Sequence, residues 1–544
     1  MDSRLVELIR RETSPQLRRN VVLTATFSGI ASTAILAIIN SAAQSSEYGN
    51  PNFRHFVMFV MAITAYIYCL RYTFDRTTRA FENILDSTRS RISDKIRHSE
   101  LIVLDQIGRS VIYSRLTQDT AILSQLEVQF AATIQSLSMV LFISLYIITL
   151  SMYAFLLTVL LMAGGIAIYL RADKHFKETI EYTSQKEIEL FDHVTHIIDG
   201  FPEVRLNRQR SDDLYADTEE TSQAVKESKI QTARMYNGKY ILSQTFFYTH
   251  LAAIVFILPQ MIPTYLETIT DITVAIVFFI GPLTVVVSAI PAYFMANLAA
   301  EHIFDLEQSL DMLRTTPSPD TVQRIDSFSK ITLTDVEFAY DDETEAEQFR
   351  IGPLSFDINA GETLFIIGGN GSGKSTLLKV LCALYQPEGG TLQIDDLTIG
   401  GDTLHAYRDL FSIIFSDFHL FRKLYGLRHV NPQKVNELID RMQLDNKISY
   451  ADGGFSSLEL STGQRKRMAL LVSLLEDRQI LIFDEWAADQ DQEFRRYFYE
   501  HLLYELKSEG KTIIAVSHDD RYFQHADRII KMEYGKLVSD QSSP

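Results

Sequence analysis

Six stretches of the chain are apolar over about the length of a bilayer crossing: Val21 to Ala43, Phe56 to Phe74, Val128 to Leu150, Met152 to Leu170, Tyr240 to Ile262 and Ile272 to Asn297. About 20 predominantly apolar residues suffice for a spanning helix. Runs this long and this poor in charge are not what core helices of a water-soluble protein contain, so the pattern predicts six transmembrane helices. Arg71 interrupts the second run near its end, where its long stem lets the guanidinium reach the interface. Ser41-Ala42-Ala43 has the small residues of a leader cleavage site, yet the apolar run before it exceeds the usual core of roughly 7 to 15 residues. The first span is therefore read as retained.

Two connections, after the second and fourth spans, run for about 55 and 70 residues of helix-forming composition. Each breaks near its middle, at Gly108 and at Asp199-Gly200-Phe201-Pro202, where a short transverse helix is expected to meet a cytoplasmic domain. The other connections are short: 44 to 55, the hinge at Ser151, and 263 to 271. Thr315-Thr316-Pro317-Ser318-Pro319-Asp320 reads as a linker, because two prolines so close break helix and sheet alike. Beyond it the pattern changes to short apolar runs, Thr363 to Ile367, Ile480 to Phe483 and Thr512 to Val516, which predict buried strands. The expected organisation is a membrane domain over 1–314, a linker over 315–324 and a cytoplasmic α/β domain over 325–544.

Charge separates the same halves. Residues 1–300 hold 26 Lys and Arg against 28 Asp and Glu, and 301–544 hold 25 against 41. Basic residues crowd the segment before the first span and the two long connections, whereas the short connections contain only Arg54. The positive-inside rule then puts both termini in the cytoplasm. The acidic second half lacks the basic face a nucleic-acid binder needs, so any nucleotide must have a local site. Cys69 and Cys382 are too few and too far apart for a disulfide framework or a thiolate metal site.

That local site is written at Gly368-Gly369-Asn370-Gly371-Ser372-Gly373-Lys374-Ser375, which fits GxxxxGK[ST] after one predicted strand and before a predicted helix, Thr376 to Leu384. Backbone N–H groups at Gly368, Asn370, Gly371 and Gly373 turn on phosphate oxygens. Lys374 reaches the β and γ phosphates, Ser375 can ligate Mg²⁺, and the helix start at Thr376 adds its dipole. A second apolar run ends in Asp484-Glu485: the aspartate would hold the metal through water and the glutamate polarise a water attacking the γ phosphate. The third leads into Ser517-His518, where the histidine could sense that phosphate. Leu460-Ser461-Thr462-Gly463-Gln464 precedes a further helix, and Ser461, Gly463 and the helix start offer donors suited to a phosphate.

In this order and spacing the motifs over 325–544 resemble the ATP-binding-cassette ATPases, in which the LSGGQ signature of one subunit, here carried by Ser461, Gly463 and Gln464, closes on ATP held by the other. The resemblance implies that Tyr340 stacks on adenine and that Asp491 is the D-loop aspartate. The six-span half is similar to exporter-type half-transporters. GGNGSGKST, DEWAADQD, SHDD, HADR and GFPEVRLNR look like the bacterial family that exports cyclic peptides, including siderophores, lipopeptides and antimicrobial peptides.

Two features depart from the general cassette. Ser416-Asp417 stands where most cassettes have Gln ahead of Asp, and only about 44 residues separate it from Leu460, so the helical subdomain is small. Asp417 has the longer reach, and is expected to contact the Mg²⁺ shell through water, with a bridging water from Ser416 as the alternative. Asp452-Gly453-Gly454-Phe455 also differs from the usual exporter loop.

The sequence thus predicts a homodimeric, ATP- and Mg²⁺-dependent exporter of a peptide, multi-pass in a bacterial cytoplasmic membrane, with the lipid bilayer and a second copy of the chain as partners and no nucleic acid. The rivals are a lipid flippase and a non-transporting nucleotide-gated membrane module. Gln135, Ser136, Ser138, Tyr146, Gln244, Gln260, Ser288 and Tyr293 are polar or aromatic positions within spans, and none is assigned to substrate.

Overall fold

The computed structural model describes residues 3–47, 53–171, 174–261, 269–311, 325–340 and 349–542. They form two compact units, Met1–Ser99 with Val103–Leu313 and Glu100–Ile102 with Arg314–Pro544. The expected linker at 315–320, and parts of the connections 44–55 and 263–271, lie outside the described residues.

The helices in order are α1 (Arg4–Glu12), α2 (Pro15–Glu47), α3 (Phe53–His98), α4 (Leu101–Ile107), α5 (Arg109–Ser114), α6 (Thr120–Leu150), α7 (Met152–Arg171), α8 (Lys174–Asp199), α9 (Phe201–Leu206), α10 (Arg208–Ala252), α11 (Leu258–Met261) and α12 (Ile269–Asp311). The six apolar runs fall on α2, α3, α6, α7, α10 with its continuation, and α12. At 1.5 Å per residue the 46 residues of α3 and the 45 of α10 extend roughly 70 Å, more than twice a hydrocarbon core of about 30 Å. Their polar ends must therefore continue into water. Two π-helical turns, Arg115–Asp119 and Ala253–Ile257, had no signal in the sequence.

The predicted breaks have local causes. Ser151 separates α6 from α7: its N–H still bonds the Ile147 carbonyl at 2.8 Å, while its hydroxyl accepts the Ala154 N–H at 3.3 Å and caps the next helix. Gly108, at φ 81°, divides α4 from α5, and Pro202 sits in the first turn of α9. One carboxylate ties α1, α3 and α12 together. Glu307, 5% exposed, accepts two bonds of 3.0 Å from Arg11 and one of 2.9 Å from Arg91, with Lys95 at 3.8 Å.

The second unit contains β1 (Lys330–Ala339), β2 (Arg350–Asn359), β3 (Thr363–Ile367), α13 (Lys374–Leu381), β4 (Gly389–Ile394), β5 (Leu397–Thr398), α14 (Leu404–Arg408), β6 (Phe411–Ile414), α15 (Pro432–Arg441), β7 (Tyr450–Ala451), β8 (Gly454–Phe455) and α16 (Thr462–Glu476). After these come β9 (Ile480–Asp484), α17 (Gln492–Tyr497), α18 (Leu503–Ser508), β10 (Thr512–Val516), β11 (Arg528–Glu533) and β12 (Lys536–Ser542). An antiparallel sheet has the order β2-β1-β4-β5, and a six-stranded sheet the order β12-β11-β3-β10-β9-β6. Within the latter β11, β3, β10, β9 and β6 pair in parallel. The fully buried β9 and β10 account for their unbroken apolar runs, because a parallel strand is covered on both faces.

Both boundaries of one helix differ from expectation, and its start is Lys374 rather than Thr376. The helix after the glycine-rich loop stops at Leu381 rather than Leu384, because Ala383 takes φ 55° and the N–H groups of Leu384 and Tyr385 both return to the Lys379 carbonyl. Asp452 and Gly453, at φ 52° and 76°, make the tight turn of the β7–β8 hairpin.

Candidate nucleotide site

The parallel order places the C-terminal ends of β3, β10 and β9 side by side. From β3 the chain enters a loop whose first residue passes close to another strand: a Cβ on Gly368 would stand 2.3 Å from the Met532 carbonyl oxygen. No side chain fits there. Asn370, Gly371, Gly373, Lys374, Ser375 and Thr376 then line one cavity together with Phe349 and Glu485. Lys374 Nζ donates to the carbonyls of Gly368 at 3.0 Å and Gly369 at 2.9 Å. Burial lowers the pKa of its ammonium, against the opposing pull of Glu485 and Asp484. Loop amides, a helix start and a fixed cation make this an anion site.

Asp484 closes the floor of the site at the end of β9. Its Oδ2 accepts the Ser375 hydroxyl at 3.0 Å, whereas its Oδ1 is buried and takes no hydrogen bond from the described residues. Burial raises its pKa, Ser375 counteracts that, and the N–H and hydroxyl of Ser416 also favour the ionised form. The next residue, Glu485, is held at φ 49°, a left-handed conformation that costs a non-glycine residue about 1 kcal/mol or more. Lys466 fixes that turn by donating to the Glu485 carbonyl at 2.8 Å and pairing with Asp489 at 2.7 Å. The Glu485 side chain meets His518 from β10, with Oε1 to Nε2 at 2.9 Å.

Ser461, Gly463 and Gln464 are not among the residues lining that cavity. Ser461 caps α16 by accepting the Gln464 N–H at 3.4 Å, and Gln464 returns its Oε1 to the Ser461 N–H at 3.1 Å. A Cβ on Gly463 would stand 2.7 Å from the Asp489 carbonyl oxygen, and Gln490 Nε2 donates to the Gly463 carbonyl at 3.1 Å. Asp491 caps α17 through the Phe494 N–H at 2.9 Å and pairs with Arg467, and both contacts lower its pKa.

A family model described as "ABC transporter" matches residues 351–488. Over 97% of this chain and 94% of the relative, the sequence is 34% identical to the "ATP-binding protein SyrD" of Pseudomonas syringae pv. syringae. The chain belongs to the ABC transporter family. It is also 29% identical, over 36% of its length and 32% of the relative's, to the "Probable syringafactin export ATP-binding/permease protein SyfD" of P. syringae pv. syringae strain B728a. A solved structure, "Structure of a bacterial Atm1-family ABC exporter with ATP bound", superimposes with a TM-score of 0.79 at 17% identity, covering 97% of this chain and 95% of that one. The fold is therefore that of an exporter, a helical membrane domain followed by an ATP-binding cassette. The protein binds and hydrolyses ATP and couples it to transport across a membrane.

Within this ABC exporter the structure adds residues that the sequence did not single out. Tyr340 hydroxyl lies 3.2 Å from Thr376 Oγ1, and its ring meets Phe338 and Tyr385 edge-on at 5.3 and 5.7 Å. Phe349, 37% exposed, lines the cavity itself and is paired to Tyr340 where β1 ends and β2 begins, its carbonyl accepting the Tyr340 N–H at 3.4 Å. Ser416 and Asp417 are both exposed, and Ser416 is the one of the two that bears on Asp484, favouring its ionised form. Phe349 and Lys466 carry no motif, and only the strand register and the turn at Glu485 bring them in.

The polar positions in the spans largely bind neighbouring helices. Gln135 donates to the Tyr66 hydroxyl at 3.3 Å, Ser138 to the Thr26 carbonyl at 3.2 Å, and Gln244 to the Thr284 hydroxyl at 3.4 Å. Tyr146 accepts from Asn40 at 3.1 Å, and Gln260 donates within its own helix.

Proposed function

We propose that two copies of this chain form a peptide exporter in a bacterial cytoplasmic membrane, with both termini cytoplasmic, and that its cargo is a cyclic peptide, peptide siderophore or lipopeptide. The observation that carries the reading is the full-length likeness to SyrD, joined to the subfamily motifs around the site. The likeness to SyfD, described as a probable syringafactin export protein, points the same way. In this reading 1–314 is the membrane domain, 315–324 the linker and 325–544 the cassette.

Each ATP lies between the glycine-rich loop of one copy and Ser461, Gly463 and Gln464 of the other. The separation of those three residues from the P-loop cavity within one chain supports a composite site. Gly368, Asn370, Gly371, Gly373, Lys374 and Thr376 hold the phosphates, and Tyr340 takes the adenine. Asp491 belongs to the interface between cassettes. Mg²⁺, when bound, neutralises phosphate charge; Ser375 and Asp484 suit it, since the unbonded Asp484 Oδ1 is an oxygen ready for a ligand or its water. From the adjoining loop Ser416 is the nearer contributor and Asp417 the second, through water. Glu485 accepts the proton of the attacking water, and His518 holds the Glu485 carboxylate and the γ phosphate in register. Two bound ATP molecules favour the outward state and hydrolysis restores the inward one, because ATP and cargo differ in affinity for the two.

The test is ATP-dependent uptake of a labelled cyclic peptide into inverted vesicles containing the exporter. Uptake abolished by Glu485→Gln supports the reading, and flipping of phospholipid without uptake of any peptide overturns it in favour of a flippase.

A further inference from the structure

Four helices of the membrane unit, α6, α7, α10 and α12, line a half-open cavity of about 330 Å³ whose wall is almost wholly apolar, formed by residues such as Leu137, Val140, Leu242, Phe246 and Val287. His250, its one ionisable neighbour, is engaged by the Thr158 hydroxyl at 2.9 Å. A second cavity, of about 920 Å³, lies among α6, α8, α10 and α12; its wall carries polar groups that the first lacks, at Gln125, Gln129, Lys229, Tyr236 and His302, set among apolar residues such as Ile122 and Met295. Its charges are paired, Glu187 with Lys229 at 2.5 Å and Asp119 with Arg115 at 3.2 Å.

The two cavities are stacked along three shared helices. On α6 the polar wall at Gln129 precedes the apolar wall at Leu137 by eight residues, or roughly 12 Å of helix, and on α10 Tyr236 precedes Leu242 by six, or roughly 9 Å. On α12 the order along the chain is reversed, as an antiparallel helix requires: Leu283 to Ile290 line the apolar chamber, and Ser288 to His302 the polar one. Gln129 Nε2 donates to the Ser288 hydroxyl at 3.2 Å, and Ser288, in the wall of the second cavity, falls between Val287 and Ile290 in the wall of the first. A hydrophilic peptide would fill only the polar chamber and leave the apolar one without a complementary surface.

We propose that the apolar chamber is a site for a fatty-acyl chain, and that the cargo is an acylated peptide whose polar body occupies the larger chamber while its single chain enters the smaller. This rests on the peptide-export reading and narrows it to amphiphilic peptides. The paired charges of the polar chamber suit a body of little net charge.

One cyclic peptide made with no chain, or with an octanoyl, decanoyl or dodecanoyl chain, tests the proposal on the exporter reconstituted in nanodiscs and inverted vesicles. The concentration giving half-maximal ATPase stimulation should fall roughly tenfold for each two methylenes until the chamber is full. Partition into the bilayer alone gives such a trend in every variant, so the deciding result is a shift. Val140→Trp and Val287→Trp should move the preferred chain to a shorter one. A dodecanoyl chain ending in a diazirine provides a readout that needs no variant, and should label α6, α10 or α12 at the chamber wall. Equal export of the unacylated peptide, an unchanged preferred length in both variants, or labelling confined to other residues overturns the acyl site and leaves peptide export standing. Transport of phospholipid alone overturns peptide export as well.

Discussion

His518 Nε2 stands 2.9 Å from Glu485 Oε1, although the two residues are 33 positions apart. The contact exists because β9 and β10 pair in parallel with Asp484 opposite Val516, which sets the residues after each strand next to one another. Glu485 supplies the carboxylate and His518 restrains it, so their substitutions should differ in kind.

Replacing Glu485 by Gln keeps the shape and removes the basicity. ATP hydrolysis should fall by roughly 10²- to 10⁴-fold while ATP binding remains. Steady-state phosphate release and nucleotide binding, measured on the same sample, check this, and hydrolysis within about twofold of the unsubstituted exporter would take Glu485 out of the reaction.

Lys374→Ala should show the opposite balance. Losing the ammonium that the loop holds should weaken nucleotide binding by about tenfold or more. Binding of a fluorescent ATP analogue, titrated in parallel with Glu485→Gln, separates the two effects.

For the loop at 416–417, side-chain length points to Asp417, and the effect on the ionised form of Asp484 points to Ser416. Removing the hydroxyl in Ser416→Ala should raise the Mg²⁺ concentration needed for half-maximal hydrolysis by roughly tenfold, as for a group that steadies a metal ligand, whereas Asp417→Ala should stay within about twofold. The reverse ranking in Mg²⁺ titrations of the two variants would return the role to Asp417.

Glu307→Gln should loosen the membrane unit. Arg11, Arg91 and Lys95 all converge on this buried carboxylate, and the two arginines are themselves partly exposed, so water recovers some of the loss. A destabilisation of about 1–3 kcal/mol follows, read as a lower melting temperature in detergent and as faster proteolysis near α1.

Burial pushes the Cys382 thiol up to about 12. At pH 8 it is therefore neutral and inaccessible, and iodoacetamide should modify it only after the cassette is unfolded. Rapid labelling of the folded exporter at Cys382 would contradict the packing around α13.

What could be read from the sequence follows from burial. Thr363–Ile367, Ile480–Asp484 and Thr512–Val516 are strands covered on both faces, so each appears as a plain apolar run followed by the polar residues that make the site. The spans are legible for the related reason that lipid tolerates few charges over 20 residues. Phe349 was hidden because its place beside the glycine-rich loop depends on the pairing of β1 with β2, not on anything adjacent in the chain. Ser416 and Asp417 were both legible as candidates, but a side chain's reach does not reveal which way a loop turns it. The π turns, too, leave no trace in composition, since their residues are ordinary helix formers.

Lys374 bonds to two carbonyls of its own loop. A free lysine side chain gives up as much as about 2 kcal/mol of rotamer freedom when it is fixed, and here folding has already taken that loss before any phosphate arrives. Binding then replaces neutral acceptors by anionic ones at nearly the same spot, a change of partner without a change of place. Lys374 can thus report almost nothing about whether a nucleotide is present. News of occupancy has to leave through other groups of the cavity, and Glu485, joined to the segment after a second strand by His518, is connected beyond it.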